Sequence, residues 1–246
     1  MPAFETVLLA ASMLVAAVLY SSVGHGGASA YLAVMALSGI APAVMRPTAL
    51  VLNLFVAAIA AVQFARAGYF SWRLFWPFAL GSVPLAFAGG TIQLPETLYK
   101  QILACVLLVA ALRLFFEPRR AEGARAPMAV WLAVLVGAAI GFLSGLTGVG
   151  GGIFLSPILL VGGWSEPKQT AAVSAAFIWV NSLSGLAGQT ASILLIPPAA
   201  IAWGAAAVAG GLVGSTLSSR LLAGRTLKRL LAVVLVVAGL KMLISS

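Results

Sequence analysis

Long apolar runs, separated by short polar segments, make up most of the chain. Eight of these runs approach the length of about 20 residues that a helix needs to cross a hydrocarbon core about 30 Å thick. Their approximate bounds are Thr6–Ser22, Pro47–Phe64, Trp72–Gly89, Thr97–Phe116, Met128–Ser144, Gln169–Gln189, Pro198–Ser218 and Leu227–Leu243. The pattern predicts an all-α polytopic membrane protein with about eight transmembrane helices.

Two further apolar runs, Ala28–Leu37 and Ile153–Val161, are too short to span a bilayer. About ten helical residues reach only about 15 Å. Each run follows a glycine cluster, which reads GHGG at residues 24–27 and GVGGG at residues 148–152. We expect each cluster to break the helical path inside the membrane and to begin a short re-entrant helix.

The glycine clusters belong to an internal repeat with an offset of 124 residues. Gly24, Gly26 and Gly27 correspond to Gly148, Gly150 and Gly151. Each half reads as a helix, a glycine loop, a short helix and three further helices. We predict a first repeat over residues 1–116, a cytoplasmic linker over 117–127, which is rich in Arg and contains two Pro, and a second repeat over 128–246.

The distribution of the fourteen Lys and Arg residues predicts how the repeats are oriented. If each short helix pairs with the helix before it and returns to the same side, only Arg46, Lys100 and Lys241 lie outside, as the positive-inside rule favours. The two repeats are then inverted, and both termini are external in a multi-pass protein of the cell inner membrane. Secondary transporters often have this arrangement, with substrate sites near the midplane between discontinuous helices.

Composition supports the membrane class and excludes others. The 246 residues are 62% hydrophobic and 8% charged, with a mean hydropathy of +1.12, whereas soluble domains carry about 25% charged residues. A lipid bilayer must therefore cover the surface. The net charge of +9 comes from cations in short loops, so we expect no nucleic-acid partner. The single cysteine, Cys105, supports neither a disulfide framework nor a Cys-based metal site, and we predict no metal and no cofactor.

The two breaks favour an anion as the ligand. Non-helical backbone inside a bilayer is tolerated only where protein buries it or a wet cavity adjoins it. The free N–H groups that begin each short helix lie at the positive end of its dipole. The chain has no Asp and none of its five Glu lies deep in a predicted span, which disfavours a carboxylate-based cation site. We predict a small anionic substrate bound by Ser22, Gly24, His25, Gly26, Gly27, Ser29, Asn53, Thr147, Gly148, Gly150, Gly151, Gly152 and Asn181.

Several of these residues also have a second interpretation. Glycine clusters serve close helix packing and hinges as well, and Asn53 and Asn181 could join helices instead of contacting substrate. His25, the only histidine, either binds the anion and carries a proton for coupling, or holds the turn as a neutral imidazole bonded to a backbone carbonyl. Arg46 at an external helix end either attracts anions or extends its charge to the interface.

Both loops resemble those of a known family. The first reads SVGHGG over residues 22–27, the second reads GLTGVGGG over residues 145–152, and an apolar run follows each. The second copy is the closer match, from Gly141 to Pro157 and again from Glu166 to Ala171. These residues resemble the TauE/SafE sulfite exporter family, over essentially the whole chain. The resemblance implies transport of sulfite, an organosulfonate or a related sulfur-containing anion across the bacterial inner membrane.

The sequence therefore favours a secondary permease for a small anion, which is not an enzyme. An anion channel is the second candidate, because inverted repeats with re-entrant loops suit channels as well. The third is an intramembrane hydrolase that uses Ser144 beside a glycine turn, with His25 as its base. Which anion, which direction, which coupling ion and which oligomeric state stay open.

Overall fold

The computed structural model describes residues 3–22, 25–115, 128–217 and 225–245. Within those ranges the regular structure is entirely α-helical. The helices are α1 (Ala3–Ser21), α2 (Ala28–Leu37), α3 (Pro42–Arg66), α4 (Trp72–Thr91), α5 (Glu96–Phe115), α6 (Val130–Thr147), α7 (Gly152–Val161), α8 (Pro167–Ala187), α9 (Thr190–Ile193), α10 (Ala200–Leu217) and α11 (Arg225–Ile244). Gly24 and the predicted linker 117–127 lie outside the described residues.

All ten predicted runs form helices, and the one-turn helix α9 is an addition. Six of the described helices, α1, α3, α4, α5, α6 and α8, are long and apolar enough to cross a membrane. The apolar parts described for α10 and α11 are shorter, at residues 200–216 and 231–244. The chain is thus a multi-pass helical membrane protein, and its total of eight spans stays a prediction.

Helix α3 begins five residues earlier than the sequence analysis placed it. It starts at Pro42 instead of Pro47, because a proline in the first turn of a helix loses no hydrogen bond. Pro47 then lies inside the helix, where its missing N–H leaves the carbonyl of Ala43 without its usual donor. The extension also places Arg46 within the helix instead of at its end.

The two halves pack with a two-fold pattern. Helices α1 to α5 of the first half correspond in order to α6, α7, α8, α10 and α11 of the second. Helix α4 packs along α6 as α10 packs along α1, and α2 contacts α11 as α7 contacts α5. The counterparts α3 and α8 contact each other, and so do α5 and α11. The packing therefore repeats when the halves are exchanged.

The two longest contacts between the halves join parallel helices through small residues. Gly137 and Gly141 of α6 lie directly against the backbone of Phe78 and Ser82 of α4. A side chain at either glycine would collide with that backbone, so glycine permits the close approach. The counterpart pair repeats this arrangement, with α1 and α10 in contact between Leu14 and Gly210 and between Val18 and Gly214.

Helices α3 and α8, which correspond to each other, run antiparallel. Phe64 near the end of α3 shares a buried cluster with Ala171 near the start of α8. At the other end, Leu50 of α3 lies against Gly185 of α8. Two counterpart helices that cross the centre of the bundle in opposite directions therefore join the two halves.

Helices α5 and α11 are antiparallel as well. Lys100 Nζ at the start of α5 donates to the carbonyl of Ser245 at 2.9 Å, and the Arg229 guanidinium lies 5.8 Å from the centroid of the Phe115 ring. These contacts place the start of each helix beside the end of the other. Both pairs of counterpart helices, α3 with α8 and α5 with α11, therefore run antiparallel.

Apart from the buried Arg46, the cations whose side chains the structure describes lie at two ends of the bundle. One end, which we call the Arg66 end, carries Arg66, Arg73, Arg113, Lys168 and Arg229. There Lys168 Nζ donates to Tyr69 Oη at 3.1 Å. The opposite end, the Lys100 end, carries Lys100 and Lys241, and Lys241 Nζ donates to the carbonyl of Leu37 at 2.7 Å. The described chain ends, Ala3 and Ser245, lie at the Lys100 end.

Candidate functional site

Both glycine clusters break the helical path, as predicted. Helix α6 ends at Thr147, and Gly148, Gly150 and Gly151 follow with φ +86°, +81° and +83° before α7 begins. In the first half α1 ends at Ser21, and Gly27 with φ +93° precedes α2. Only glycine adopts this left-handed backbone without strain. The sequence therefore folds locally into two turns that each start a short helix.

The two loops, although 124 residues apart in the chain, meet at one side chain. A Cβ atom built on Gly26 would lie 2.5 Å from Asn53 Oδ1, and one built on Gly150 would lie 2.6 Å from Asn53 Nδ2. Ile178 of α8 closes the same space, at 3.0 Å and 2.9 Å from those two positions. Each loop thus presses its backbone against the Asn53 amide, and neither position has room for a larger residue.

Asn53, Asn181 and Ser182 lie around these loops and are buried without a bonding partner within the described ranges. Asn53 is 1% exposed and Asn181 and Ser182 are 0% exposed. Among the described residues, neither amide nor the Ser182 hydroxyl has a hydrogen-bond partner. Ser182 Oγ would lie 3.4 Å from a Cβ on Gly150, and Asn181 Nδ2 would lie 3.6 Å from one on Gly151. A buried polar group without a partner costs about 1–3 kcal/mol, so this cluster is suited to a polar ligand.

The short helices add backbone donors to the same place. Helices α2 and α7 begin directly after the two loops, and neither N-cap residue, Gly27 or Gly151, supplies a side-chain cap. The first N–H groups of a helix have no partner within it and lie at the positive end of the dipole. Two positive helix ends and three unpaired side chains therefore surround the meeting point of the loops.

Acidic side chains lie away from this cluster. The glutamates in the described part of the chain are Glu5 in the first turn of α1, Glu96 in the first turn of α5 and Glu166 at the N-cap of α8. All three occupy the starts of long helices, far along the chain from the loops. The cluster therefore offers donors to a ligand without a carboxylate that would repel an anion.

His25 connects the first loop to the second half. Its backbone N–H donates to the carbonyl of Tyr20 at 2.9 Å, and its ring Nε2 lies 3.1 Å from the Ser156 hydroxyl of α7. The side chain is 7% exposed, and the Tyr20 ring meets it edge-on. The partner of Nε2 is thus a side-chain hydroxyl. The sequence-based alternative, in which the imidazole only holds the turn, had predicted a backbone carbonyl as the partner.

The hydroxyls of Ser22, Ser29 and Thr147 are already engaged within the protein. Ser22 Oγ donates to the carbonyl of Leu19 at 2.7 Å, and Ser29 Oγ donates to Tyr20 Oη at 2.9 Å. Thr147 Oγ1 donates to the carbonyl of Leu143 at 2.6 Å. These residues lie at the edges of the two loops, whereas Asn53 and Asn181 lie against their glycines. Gly24 lies outside the described residues.

Arg46 has neither of its predicted roles. It is 8% exposed, so it neither attracts anions at a mouth nor extends to the interface. Its guanidinium donates to four backbone carbonyls at the ends of α4 and α6, which belong to Gly89, Gly90, Ile92 and Gly145. The guanidinium binds there because the last carbonyls of a helix have no partner within the helix and carry partial negative charge.

Sequence reasoning missed three residues of this region. Ser156 of α7 and Ser174 of α8 bond to each other at 2.9 Å, and Ile178 separates the two loops. Ser174, Ile178 and Asn181 lie four and three residues apart, which puts them on one face of α8. The available signal was the pair of polar residues, Ser174 and Asn181, on one face of an apolar helix.

The hydrolase hypothesis needs His25 beside Ser144, and the structure places the His25 ring against Ser156 instead. Ser144 is fully buried, and its hydroxyl has no hydrogen-bond partner in the described part of the chain. The serine that does face His25 is Ser156, which also bonds to the carbonyl of Gly152 in its own helix. In the part of the chain that the structure describes, the Ser144 hydroxyl therefore has no histidine bonded to it.

Comparison with known proteins finds a matching family and membrane transporters among the relatives. The family described as sulfite exporter TauE/SafE matches residues 8–242. The probable membrane transporter protein y4hK of Sinorhizobium fredii (strain NBRC 101917 / NGR234) is 41% identical over 244 residues, covering 97% of this chain and 98% of the relative. The probable membrane transporter protein YjnA of Bacillus subtilis (strain 168) is 28% identical over 243 residues, covering 89% and 92%. No solved structure matches the chain.

Proposed function

Since the chain belongs to the sulfite exporter TauE/SafE family, we propose that this membrane transporter is a secondary permease for sulfite, an organosulfonate or a related sulfur-containing anion, bound between its two glycine loops. The observation that carries the proposal is the convergence of both loops on Asn53, with Asn181 and Ser182 unpaired beside them. A donor-rich, acid-free site of this kind suits a small oxyanion.

The chemistry of such an anion fits the donors around the loops. Sulfite and a sulfonate each present three oxygens that accept hydrogen bonds, and the site offers amide N–H, hydroxyl and helix-end N–H donors. In a low-dielectric interior these bonds are stronger than in water, which offsets the loss of the hydration shell. A bound anion would also accept hydrogen bonds from Nδ2 of Asn53 and of Asn181, whose burial without a partner is otherwise unfavourable.

We further propose that the two halves are inverted repeats. Two features support this. The packing repeats when the halves are exchanged, and the counterpart helices α3 and α8, like α5 and α11, run antiparallel to each other. A two-fold axis along the helices would make such pairs parallel, whereas an axis across them makes them antiparallel. An axis lying in the membrane plane is typical of inverted-repeat transporters.

The Arg66 end then faces the cytoplasm. It holds five of the described cations, and cytoplasmic loops carry the excess of Lys and Arg. Both chain termini are external under this assignment, in the cell inner membrane. Transport would proceed by rocking of one half against the other around the loops, with each loop alternately open to one side.

The decisive test is transport by the purified protein in liposomes. The probes are labelled sulfite, thiosulfate, sulfate, sulfoacetate and taurine, with empty liposomes as the control. We expect saturable uptake of sulfite or of a sulfonate, and accumulation of the labelled anion when the same unlabelled anion is preloaded. A preference for a cation or for an uncharged solute over every one of these probes would contradict the proposal.

An anion channel is the second candidate, because its architecture would be the same. The preloading experiment separates the two, since a carrier exchanges labelled for unlabelled anion and a simple pore does not accumulate label. Conductance across a planar bilayer that rises linearly with anion concentration would favour the channel.

A further inference from the structure

We propose that His25, Ser156 and Ser174 form a hydrogen-bonded chain that couples proton binding at the first loop to the second loop, with Ser156 and Ser174 as positioning residues for the His25 ring. The inference deepens the proposed function, on which it rests, by assigning a coupling element to the same site. None of the three residues is explained by the donor cluster around Asn53.

The hydrogen-bonded chain joins the first loop, α7 and α8. His25 Nε2 of the first loop lies 3.1 Å from Ser156 Oγ of α7, and Ser156 Oγ lies 2.9 Å from Ser174 Oγ of α8. Ser156 Oγ also lies 2.9 Å from the carbonyl of Gly152, the first residue of α7. All three side chains are buried. The His25 ring of the first half is thus bonded to the Ser156 hydroxyl of the second half and, through it, to the Ser174 hydroxyl.

Counting protons selects one arrangement of this chain. A serine hydroxyl has one proton to donate and two lone pairs that accept. Ser156 can make all three bonds only if it donates to the Gly152 carbonyl and accepts from both Ser174 Oγ–H and His25 Nε2–H. The complete chain therefore requires a proton on Nε2 of His25.

Protonation of the ring strengthens the bonds that lead to the second loop. The neutral ring keeps its proton on Nε2, and the charged ring donates a stronger hydrogen bond to Ser156 Oγ, which in turn strengthens the bond from Ser156 to the carbonyl of Gly152. Gly152 follows directly on Gly150 and Gly151, which lie against Asn53 and Asn181. The protonation state of His25 is thereby transmitted to the backbone that faces the anion.

The surrounding charges leave His25 as the group that responds to pH. On the elements packed around it, Tyr20 of α1 meets the ring edge-on and Tyr31 of α2 packs against Gly27. Arg113 of α5 lies close enough to Tyr20 for an electrostatic interaction, and a guanidinium keeps its charge at every physiological pH. Helix α7 has no titratable residue, Lys168 of α8 bonds to Tyr69 at the Arg66 end, and Arg46 of α3 is bonded to carbonyls. A proton added to His25 puts positive charge beside the anion site, so proton and anion binding favour each other.

One nuclear magnetic resonance experiment tests the chain independently of any substrate. His25 is the only histidine of the protein, so protein labelled with ¹⁵N-histidine and purified through a histidine-free tag gives a single pair of ring nitrogen signals. In lipid nanodiscs at high pH we expect the neutral ring to carry its proton on Nε2. Ser156→Ala should lose that preference and lower the titration midpoint by about half a pH unit or more, because a hydrogen bond to the charged ring is stronger than one to the neutral ring.

Two further variants guard against a folding artefact. Ser174→Ala leaves Ser156 in place and should shift the midpoint in the same direction by less. Ser215→Ala is the matched control, because the Ser215 hydroxyl is also buried and bonds only within its own helix, and it should titrate as wild type. A proton on Nδ1 in the wild-type protein, or identical titrations for wild type and Ser156→Ala, would overturn the proposal.

The transport arm uses sulfite uptake into liposomes between about pH 5 and pH 8. We expect uptake by wild type to increase when the outside is acidic, uptake by His25→Gln to lose that dependence, and the pH profile of Ser156→Ala to move to lower pH. If the wild type moves no sulfite, the substrate assignment fails. The resonance experiment still shows whether the hydrogen bonds between His25, Ser156 and Ser174 exist as proposed. Equal pH profiles in wild type and Ser156→Ala, together with active transport, would refute the coupling role.

Discussion

The two glycine loops share a backbone plan and differ in chemistry. Each ends a long helix and begins a short one, and each lies against Asn53. The second loop has three left-handed glycines and buries Val149 in the apolar core, whereas the first has one such glycine in its described part and carries His25. The two helix breaks thus have a similar backbone shape, and they differ in the side chain at their centre.

This difference in side chains suggests different roles for the two loops. The second loop is the more constrained, since Gly148 also lies against Arg46, whose guanidinium holds the preceding carbonyl of Gly145. The first loop carries the titratable group. We therefore regard the second loop as the fixed wall of the site and the first as the part that responds to protons. The following predictions test that division, from the largest expected effect to the smallest.

Asn53→Asp should have the largest effect, because it acts on both loops at once. The change is isosteric and puts a carboxylate where both loops meet, and like charges in close contact cost several kcal/mol, so we expect sulfite uptake to fall by about 100-fold or more. Gln63→Glu makes the same amide-to-acid change near the end of α3 and should leave uptake close to wild type. Comparable losses in both variants would show that added charge on α3, not the site, is responsible.

Gly150→Ala and Gly26→Ala compare the loops directly. A side chain at Gly150 meets Asn53 and Ile178 and also forces a left-handed backbone, which costs about 1–2 kcal/mol more, whereas Gly26 involves the contact alone. We expect uptake to fall by about tenfold more in Gly150→Ala than in Gly26→Ala.

Two control variants separate these causes. Gly39→Ala has the left-handed backbone with nothing nearby, and Gly204→Ala has neither problem, since only Leu52 lies within reach at 3.6 Å. Both should transport at nearly the wild-type rate, with a lower melting temperature for Gly39→Ala alone. Equal uptake by Gly150→Ala and Gly26→Ala would remove the distinction between the loops.

Arg46→Lys tests whether the second loop depends on its support. A lysine cannot reach four carbonyls at once, so we expect a loss of about 2 kcal/mol in stability and a lower melting temperature in detergent. Arg66→Lys, at the exposed end of the same helix, should melt with the wild type. An unchanged melting temperature in Arg46→Lys would show that the carbonyl contacts contribute little.

Ser182→Ala and Ser29→Ala should give the smallest effects and still differ. The Ser182 hydroxyl is unpaired beside Gly150, and losing one hydrogen bond to an anion of about 1 kcal/mol corresponds to roughly a fivefold rise in the KM for sulfite. The Ser29 hydroxyl is bound to Tyr20, so Ser29→Ala should change the KM by less than about twofold. The reverse order would place the anion nearer the first loop than the second.

The sequence by itself determined the local features of this protein. Apolar runs of sufficient length specify helices, and glycine clusters specify the breaks between α1 and α2 and between α6 and α7, because both depend on neighbouring residues. The same reasoning predicted the repeat offset and picked out Asn53 and Asn181, since an amide within an apolar helix is conspicuous.

Only the tertiary structure decided which of these residues meet. It buried Arg46 among carbonyls of α4 and α6, faced His25 with Ser156 across 131 positions of the chain, and brought both loops to Asn53. Such contacts depend on how close two helices approach and on their rotation about their axes, which small residues along α4, α6, α1 and α10 set jointly. Hydrophobic periodicity records that a face is buried, but it carries no information about the partner that covers it.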